Sequence, residues 1–222
     1  MSYQLDFGAL VQYLSLFLQG TAVTLGLTAI ATLVGVLLGI AGAAGSHSRN
    51  AWVRRSIATY VELIRNTPFI VQMFFIFFGL PSLGLRLSAL QAAALAMTIN
   101  LTAYAVEILR AGLEAVPLGQ SEAGRGMGMR PLPVFALIVL PQALANVYPA
   151  LVGQITITML ESAVVSQIAV VDLTHVADFI QSRNFRSFET YLAITVIYLV
   201  LAVTMRRGLN FAGRRLLARQ TR

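Results

Sequence analysis

The chain has 222 residues, of which 57% are hydrophobic and only 11% are charged. A soluble domain is about 45–50% apolar and about 25% charged, so this composition excludes an ordinary soluble protein and indicates a chain that lies in a bilayer. Cysteine is absent, which excludes disulfide bonds, and the net charge of +7 comes from arginine alone because lysine is absent too.

The first segment, residues 1–20, carries Asp6 and has no basic stretch. A cleavable signal peptide begins with positive charge, so we predict an interfacial lead-in helix instead. The next run, residues 21–44, is uncharged and long enough to cross about 30 Å of hydrocarbon as a helix. Small residues recur in it every four positions, which favours close packing within the chain over a seam between two copies. They are Ala31, Gly35, Gly39 and Ala43.

Four further apolar runs follow, so the sequence predicts an all-α membrane protein with about five transmembrane helices. The run 131–160 contains interior prolines, each of which costs a helix about 3 kcal/mol. We therefore place the fourth span late, at residues 146–166, and expect residues 131–145 to lie outside it. The other three predicted spans are residues 66–85, 87–106 and 190–205.

Several polar side chains fall within these spans, where lipid would penalise them, so we expect them to face the protein interior or a water-filled cavity. They are Gln72, Asn100, Tyr104, Gln154, Glu161 and Ser162. A carboxylate at the bilayer centre costs about 2.5–3.5 kcal/mol on insertion scales, so we expect Glu161 to have a structural or functional role. It either pairs with a basic or hydroxyl group on a neighbouring helix or faces a cavity and holds a positively charged group.

Residues 117–145, between the third and fourth spans, mix helix-forming residues with glycines and prolines. This pattern predicts one short helix between two turns, placed to dock on a partner. An irregular connector is the alternative. The interrupting residues are Gly119, Gly124, Gly126, Gly128 and Pro131.

The arginines are distributed unevenly between the two sides of this topology. Twelve lie in or beside the first loop, the third loop and the C-terminal segment, which share one side, against Arg86, Arg183 and Arg186 on the other. Because cytoplasmic segments carry the excess of basic residues, we place the C-terminus in the cytoplasm and the N-terminus, with its lead-in helix, outside. The basic tail, residues 210–222, lacks interleaved aromatic residues, so we predict contact with membrane lipid rather than nucleic acid.

The third loop also shows a specific spacing. Glu122-Ala123-Gly124 is followed by three residues, Gly128, nine residues and Ile138-Val139-Leu140-Pro141. This resembles the EAA loop of binding-protein-dependent ABC importer permeases, whose pattern is EAA, three residues, G, nine residues and I-x-LP. Glycine at the third position preserves close approach but weakens a helix by about 1 kcal/mol. The resemblance implies that an ATPase couples to Glu122, Ala123, Gly124, Gly128, Ile138, Leu140 and Pro141.

Other stretches resemble one branch of that family, the polar amino-acid permeases of the histidine, glutamine, arginine or glutamate type. They occur in family order and are residues 62–68 with Gln72, then 103–112, 119–123, 140–143 and 161–173. A departure occurs at Leu160, where the family commonly has lysine before the acidic residue. The cavity would then be more acidic, which favours a cationic or neutral amino acid over an anionic one.

The resemblance implies a single transmembrane domain over residues 1–222, with its core at 21–209, in the type I (MetI-like) importer architecture. In that family two identical or homologous permeases pair in the bacterial cytoplasmic (inner) membrane. Two ATPase subunits bind below them, and an extracytoplasmic solute-binding protein delivers the amino acid. This chain has no P-loop motif and, without lysine, cannot supply a P-loop lysine. We expect ATP and Mg²⁺ on the partner ATPase, and no catalytic residue, cofactor or metal in this chain.

Other classes of membrane protein fit these residues less well. An intramembrane enzyme needs reactive groups at membrane depth, but His47 and His175 fall in predicted loops and no HExxH or G-x-S-x-G motif occurs. A channel needs a filter-like segment, and none is visible. A structural scaffold has little use for Glu161 within a span. The alternative to an importer permease is a membrane scaffold or channel-like subunit without ATP coupling.

Overall fold

The computed structural model describes residues 5–217, and that range contains nine α-helices and no strand. Four helical segments are long and apolar enough to cross a membrane, and a bent pair of helices makes a fifth span if it is counted as one. The predicted all-α membrane fold is confirmed. The helices are α1 (Leu14–Gly45), α2 (Ala51–Arg65), α3 (Phe69–Phe74), α4 (Ala89–Glu114), α5 (Leu118–Gly126), α6 (Pro131–Val134), α7 (Leu140–Glu161), α8 (Leu173–Asn184) and α9 (Ser187–Leu217).

The first span is longer than predicted. A 3₁₀ turn, Gly8–Tyr13, passes directly into α1, so the helical segment Gly8–Gly45 is continuous. No proline or charged residue interrupts it, and nothing therefore breaks its ladder of backbone hydrogen bonds. The structure shows no boundary between a lead-in helix and the span at residue 20, and residues 1–4 of the predicted lead-in lie outside the described range.

The second predicted span is a bent pair of helices rather than one helix. The chain bends by 109° between the amphipathic helix α2 and the segment Phe69–Leu83, which starts with α3. Pro68 explains the break, because the residue before a proline is biased away from the α conformation. The prediction over residues 66–85 therefore captured only the second arm, which continues past α3 as a π-helical turn and a 3₁₀ turn.

The helix that contains the fourth span begins at Pro131, earlier than predicted. Helix α6 passes through a π-helical turn, Phe135–Val139, into α7, and the helical segment Pro131–Ile168 is continuous. Pro141 has no N–H and crowds the carbonyl one helical turn before it; the wider π turn accommodates this conflict without breaking the helix. Residues 131–145 are therefore helical and continuous with the predicted span 146–166, and the prolines do not separate the two.

The small residues of α1 form its contact face with α4, and these two helices make the most extensive pair in the fold. A side-chain carbon added at Gly39 would lie 2.5 Å from Ala105 Cβ, and one at Gly35 would lie 3.3 Å from Leu101 Cβ. The face is thus filled by another helix of the same chain. The predicted intramolecular packing is confirmed.

We expect Gly39→Val to lower the melting temperature strongly and Gly26→Val, on the same helix, to lower it little. Valine at position 39 would overlap Ala105, and overpacking costs about 1–3 kcal/mol. Position 26 has no neighbouring atom within 4 Å of an added side-chain carbon. Thermal unfolding of both purified variants in one detergent measures the difference, and equal melting temperatures would contradict the tight α1–α4 contact.

Helix α8 packs against the first part of α1 and the first part of α9. Asp172 caps it, since its carboxylate accepts the His175 N–H at 2.9 Å and the Tyr198 hydroxyl at 3.2 Å. The Leu173 N–H donates to Thr24 Oγ1 of α1 at 3.3 Å. Burial raises the pKa of Asp172, and the backbone N–H of His175 acts in the opposite direction. His175 lies in α8, which connects the fourth and last spans and is not among the helices long enough to cross a membrane.

The last span extends beyond the predicted residues 190–205 in both directions, because α9 runs from Ser187 to Leu217. The basic tail predicted from residue 210 continues this helix as far as Leu217. There Arg215 lies over the ring of Phe211, with 4.3 Å between the guanidinium carbon and the ring centroid. Residues 218–222 of the predicted tail lie outside the described range.

Candidate functional site

Residues 117–145, called the coupling segment below after the role that the resemblance implies, place the short helix α5 across α6 and the π turn. Gly124 lies on the buried face of α5. A side-chain carbon added there would lie 2.7 Å from Ile138 Cδ1 and 3.0 Å from Val134 Cγ2. Glycine at this position therefore permits a closer approach than the alanine of the EAA pattern would. The predicted short helix between two turns is confirmed.

Gly128 forms the turn that ends α5. Its φ of 79° lies in the left-handed region, and a side-chain carbon added there would meet no atom within 4 Å. The Gly128 N–H donates to Arg125 O at 2.9 Å and the Met129 N–H donates to Gly124 O at 3.2 Å. This pair of bonds is a Schellman motif, in which glycine is the favoured residue. Gly128 is needed for its backbone conformation and not for close approach.

The outer face of α5 is open. Glu122 and Ala123 are exposed, and Leu118 and Met127 near the two ends of the helix are 79% and 72% exposed. Within residues 5–217 the Glu122 carboxylate forms no ion pair or hydrogen bond. Glu122 lies in the middle of α5 and not at its start. An open carboxylate between two apolar side chains suits docking in a groove of another protein.

The other predicted coupling residues join α5 to the fourth span. Ile138 lies in the π turn against Gly124, and Leu140 and Pro141 begin α7, where both are partly buried. Gln142 donates to Ile138 O at 2.9 Å and stabilises the junction between the π turn and α7. A displacement of α5 would therefore press directly on the start of this long helix.

Two of the polar residues at membrane depth are hydrogen-bonded to each other. Asn100 Nδ2 donates to Gln72 Oε1 at 3.1 Å, while Gln72 Nε2 donates to Ile64 O at 2.7 Å and to Thr67 Oγ1 at 2.8 Å. Gln72 thus fixes the bend between α2 and α3, and its amide is used inside the chain. Asn100 Oδ1 is buried and has no hydrogen-bond partner in the described range.

Tyr104 lines a cleft of about 580 Å³ between α2 and the second half of α4. The Arg65 guanidinium carbon lies 5.5 Å from the centroid of its ring. Glu107 accepts a hydrogen bond from Arg110 at 2.8 Å and lies 3.5 Å from Arg65, so ion pairs link α2 to α4. The volume falls in the range of small-molecule sites, and walls with both signs of charge suit a zwitterion.

Sequence reasoning missed these charged residues, although two of the stretches quoted for the resemblance contain them. Arg65 was assigned to neither side of the membrane, and neither it nor Glu107 and Arg110 received a role in a site. The sequence pattern that could have identified them is the helical spacing of Glu107, Arg110 and Glu114. This spacing puts the three side chains on one face of α4, where they form ion pairs. Among residues 5–217, no group of three or more His, Cys, Asp or Glu side chains is placed to hold a metal ion.

The remaining membrane residues lie on the fourth span. Gln154 is buried, and Ser162 is fully buried with its hydroxyl donating to Met159 O at 2.7 Å. Glu161 ends α7 where the helix tightens into a 3₁₀ turn, and its side chain is partly exposed. The described residues provide no ion pair or hydrogen bond for the Glu161 carboxylate. The predicted alternative in which Glu161 pairs with a neighbouring helix is thus not observed among residues 5–217. The carboxylate can still bind a group from outside this part of the chain.

Comparison with known proteins agrees with this arrangement. Residues 10–217 match the family model described as "Binding-protein-dependent transport system inner membrane component". The glutamine transport system permease protein GlnP of Escherichia coli (strain K12) is 31% identical over 216 residues, which is 96% of each chain. The arginine transport system permease protein ArtQ of Bacillus subtilis (strain 168) is 31% identical over 202 residues, covering 90% of this chain and 92% of that one.

Solved structures show the same fold. The crystal structure of an amino acid ABC transporter with histidines contains a chain that is 39% identical and superposes with a TM-score of 0.89, covering 96% of this chain and 100% of that one. An inward-facing MetNI methionine ABC transporter superposes with a TM-score of 0.68 at 23% identity, over 96% of this chain and 99% of that one. That similarity concerns the fold alone. The family match over nearly the whole chain, together with the coupling segment and the helical fold, shows that this chain belongs to the binding-protein-dependent transport system inner membrane components.

Proposed function

We propose that the chain is the permease subunit of an ATP-driven importer that carries polar amino acids across the bacterial cytoplasmic membrane. The coupling segment carries the proposal, because α5 is seated on the π turn through Gly124 while Glu122 and Ala123 face outward. A chain without a nucleotide-binding motif needs an external energy source for uphill transport, and this exposed helix is a surface through which an ATPase can supply it. The relatives named for glutamine and arginine transport support the substrate class.

The complete importer requires three further kinds of subunit. Two ATPases hold ATP and Mg²⁺ and contact the coupling segments, and a second permease, identical or homologous, pairs with this chain. An extracytoplasmic solute-binding protein delivers the amino acid, and the dependence on a binding protein in the family's description supports this partner. ATP-driven closure of the ATPases then switches the paired permeases between inward-facing and outward-facing forms.

One helix connects the ATPase contact with the polar residues in the membrane. The segment Pro131–Ile168 is continuous, so movement of α5 is passed from Ile138 along α7 toward Gln154 and Glu161. The helix rises about 35 Å from Ile138 to Glu161 at 1.5 Å per residue. ATP hydrolysis at the cytoplasmic end can therefore change the surroundings of Glu161 within the membrane.

Glu161 is the strongest candidate for contact with the amino acid, because its side chain is partly exposed and its carboxylate has no ion pair or hydrogen bond within the described residues. The carboxylate of Glu161 can hold an ammonium group or a cationic side chain. Leu160 supplies no neighbouring positive charge, so a cationic or neutral amino acid is favoured over an anionic one. Tyr104 and the charged cleft beside it continue the candidate pathway along α4.

Reconstitution tests the function. The chain, its ATPase and its binding protein are inserted into liposomes, and ATP hydrolysis is measured with the binding protein empty or loaded with each of a panel of amino acids. We expect the loaded binding protein to stimulate hydrolysis and to drive uptake against a gradient. Uptake that needs no ATP would indicate a channel-like subunit, and a chain that never associates with an ATPase would indicate a scaffold.

The orientation of the chain is a separate prediction. Because the basic residues cluster at the ends of the first, third and last spans, a reporter fused after Arg222 should be active only in the cytoplasm. A reporter inserted near Asp178, in α8, should be active only outside. Paired enzymatic reporters that are each active on one side of the membrane measure this, and finding both positions on one side would contradict the five-span topology.

A further inference from the structure

The turn between α8 and α9 holds an aromatic side chain in a backbone conformation that disfavours it. Phe185 follows α8 with a φ of 54°, in the left-handed region where glycine is the usual residue. Its side chain is 85% exposed, so packing against the described chain does not compensate for this conformation. An exposed aromatic residue where glycine would fit more easily is a candidate for function.

Hydrogen bonds hold this turn in one arrangement. The Phe185 N–H donates to Gln181 O at 3.0 Å, and Ser187 Oγ donates to Gln181 Oε1 at 2.9 Å. The Arg186 N–H donates to Asn184 Oδ1 at 2.9 Å. A turn that is already fixed loses little conformational entropy when a partner binds, and Phe185 is therefore preorganised as an anchor.

Exposed aromatic rings and a positive charge lie within six residues of Phe185 along the chain. Phe188 is 59% exposed and Phe179 is 40% exposed. The Arg183 guanidinium carbon lies 4.8 Å from the centroid of the Phe179 ring. We call this surface, made of Phe179, Arg183, Phe185 and Phe188, the aromatic turn. Aromatic residues and arginine are enriched in protein interfaces, and the arginine favours a partner with acidic side chains.

The aromatic turn lies at the end of the molecule opposite to the coupling segment. Tyr148 of α7 donates its hydroxyl to Leu209 O, in the last part of α9, whereas the aromatic turn lies where α9 starts at Ser187. Helix α9 rises about 33 Å from Ser187 to Leu209 at 1.5 Å per residue, close to the thickness of the hydrocarbon core. Beside the turn, Arg186 and Asp6 form an ion pair at 3.4 Å whose side chains are both partly exposed, and exposed charged groups are costly within the hydrocarbon core.

We infer that the aromatic turn is a docking site for the extracytoplasmic solute-binding protein. The inference rests on the proposed function, because the family's dependence on a binding protein supplies the partner and the coupling segment identifies the cytoplasmic end. Phe185 inserts into an apolar pocket on the binding protein, and Arg183 contacts acidic side chains at the rim of that pocket.

The test uses the reconstituted transporter and measures ATP hydrolysis against the concentration of its loaded binding protein. We expect Phe185→Gly to raise the half-saturating concentration by about tenfold or more, the usual effect of truncating an aromatic anchor. Phe185→Tyr should stay within about twofold of the wild type, because it keeps the ring. Glycine is favoured at this φ, so the melting temperature of Phe185→Gly should not fall. An unchanged melting temperature then shows that a weaker response comes from lost docking and not from misfolding.

The matched control lies at the other end of α9. Phe211 is 53% exposed and lies under Arg215 as Phe179 lies under Arg183, so Phe211→Ala removes an exposed ring from a similar setting and should leave the half-saturating concentration unchanged. An unchanged value for Phe185→Gly, in a transporter whose wild type responds, would overturn the docking inference alone. Loss of the second permease from the Phe185→Gly complex would assign the aromatic turn to the permease pair and would also overturn it. A wild type that responds to no binding protein would contradict the proposed function itself.

Discussion

Replacing Gly128 with valine is expected to separate the permease from its ATPase while leaving it in the membrane. The φ of 79° at Gly128 is disfavoured for a residue with a side chain by about 1–2 kcal/mol, and a β-branched residue is the poorest choice there. The two hydrogen bonds of the turn end α5 and direct the chain into α6. Without them α5 loses its fixed position on the π turn, and we expect uptake to fall by at least about tenfold, which corresponds to about 1.4 kcal/mol.

Two variants in the same segment are matched controls for this experiment. Gly128→Asn should retain most coupling, because asparagine tolerates the left-handed conformation better than other residues with side chains. Gly126→Ala should retain it fully, since an added side-chain carbon meets no atom within 4 Å and alanine favours a helix. Co-purification of the ATPase and uptake of the amino acid are measured together. If Gly128→Val matched the wild type in both, the segment would be a passive connector.

Replacing Glu161 with glutamine is expected to reduce amino-acid uptake by at least about tenfold while the permease still assembles with its ATPase. The change removes one charge, which is worth about 1.4 kcal/mol or more where it meets a cation in a partly desolvated cavity. Because the carboxylate has no ion pair or hydrogen bond within the described chain, glutamine should not disrupt the fold. Uptake of cationic and neutral amino acids by the same proteoliposomes tests this, with the larger loss expected for the cationic ones.

The neighbouring residue supplies a control for Glu161. The Ser162 hydroxyl donates to a carbonyl of its own helix and is fully buried, so Ser162→Ala should change uptake little. Normal uptake by Glu161→Gln would remove the residue from the substrate pathway. Failure of that variant to assemble would instead point to pairing with the second permease, since the described part of this chain offers Glu161 no partner.

Features that depend on residues close in sequence were predictable. Apolar runs of about twenty residues can satisfy their backbone groups in lipid only as helices, so the all-α fold followed from composition and the lengths of these runs. The stripe of small residues on α1 predicted close packing, and the glycine spacing after Glu122 predicted a short helix ended by a turn at Gly128. Both depend on local backbone geometry, which the residue types strongly restrict.

The course of the second and fourth spans was decided by tertiary structure. Prolines lie near both places, yet the chain bends by 109° before Pro68 and continues as a helix through Pro141. The Gln72 amide fixes the first bend through bonds to the end of α2 and to Asn100, whereas a π turn against α5 accommodates the second proline. A proline predicts local strain, but the neighbouring elements decide whether that strain breaks the helix.

The candidate site also combines features that the sequence predicts with features that only the packing of the helices decides. The residue types and spacing of the coupling segment identified its members, because a short exposed helix needs only local signals. Which polar groups in the membrane remain available could not be predicted, since Gln72 and Ser162 are used by internal hydrogen bonds while Glu161 is not. The sequence by itself determined that polar residues fall within the apolar runs and that a short helix ended by a glycine turn follows the third of these runs. Only the tertiary structure decided which of those groups are open, because each partner comes from a part of the chain whose position depends on how the helices pack.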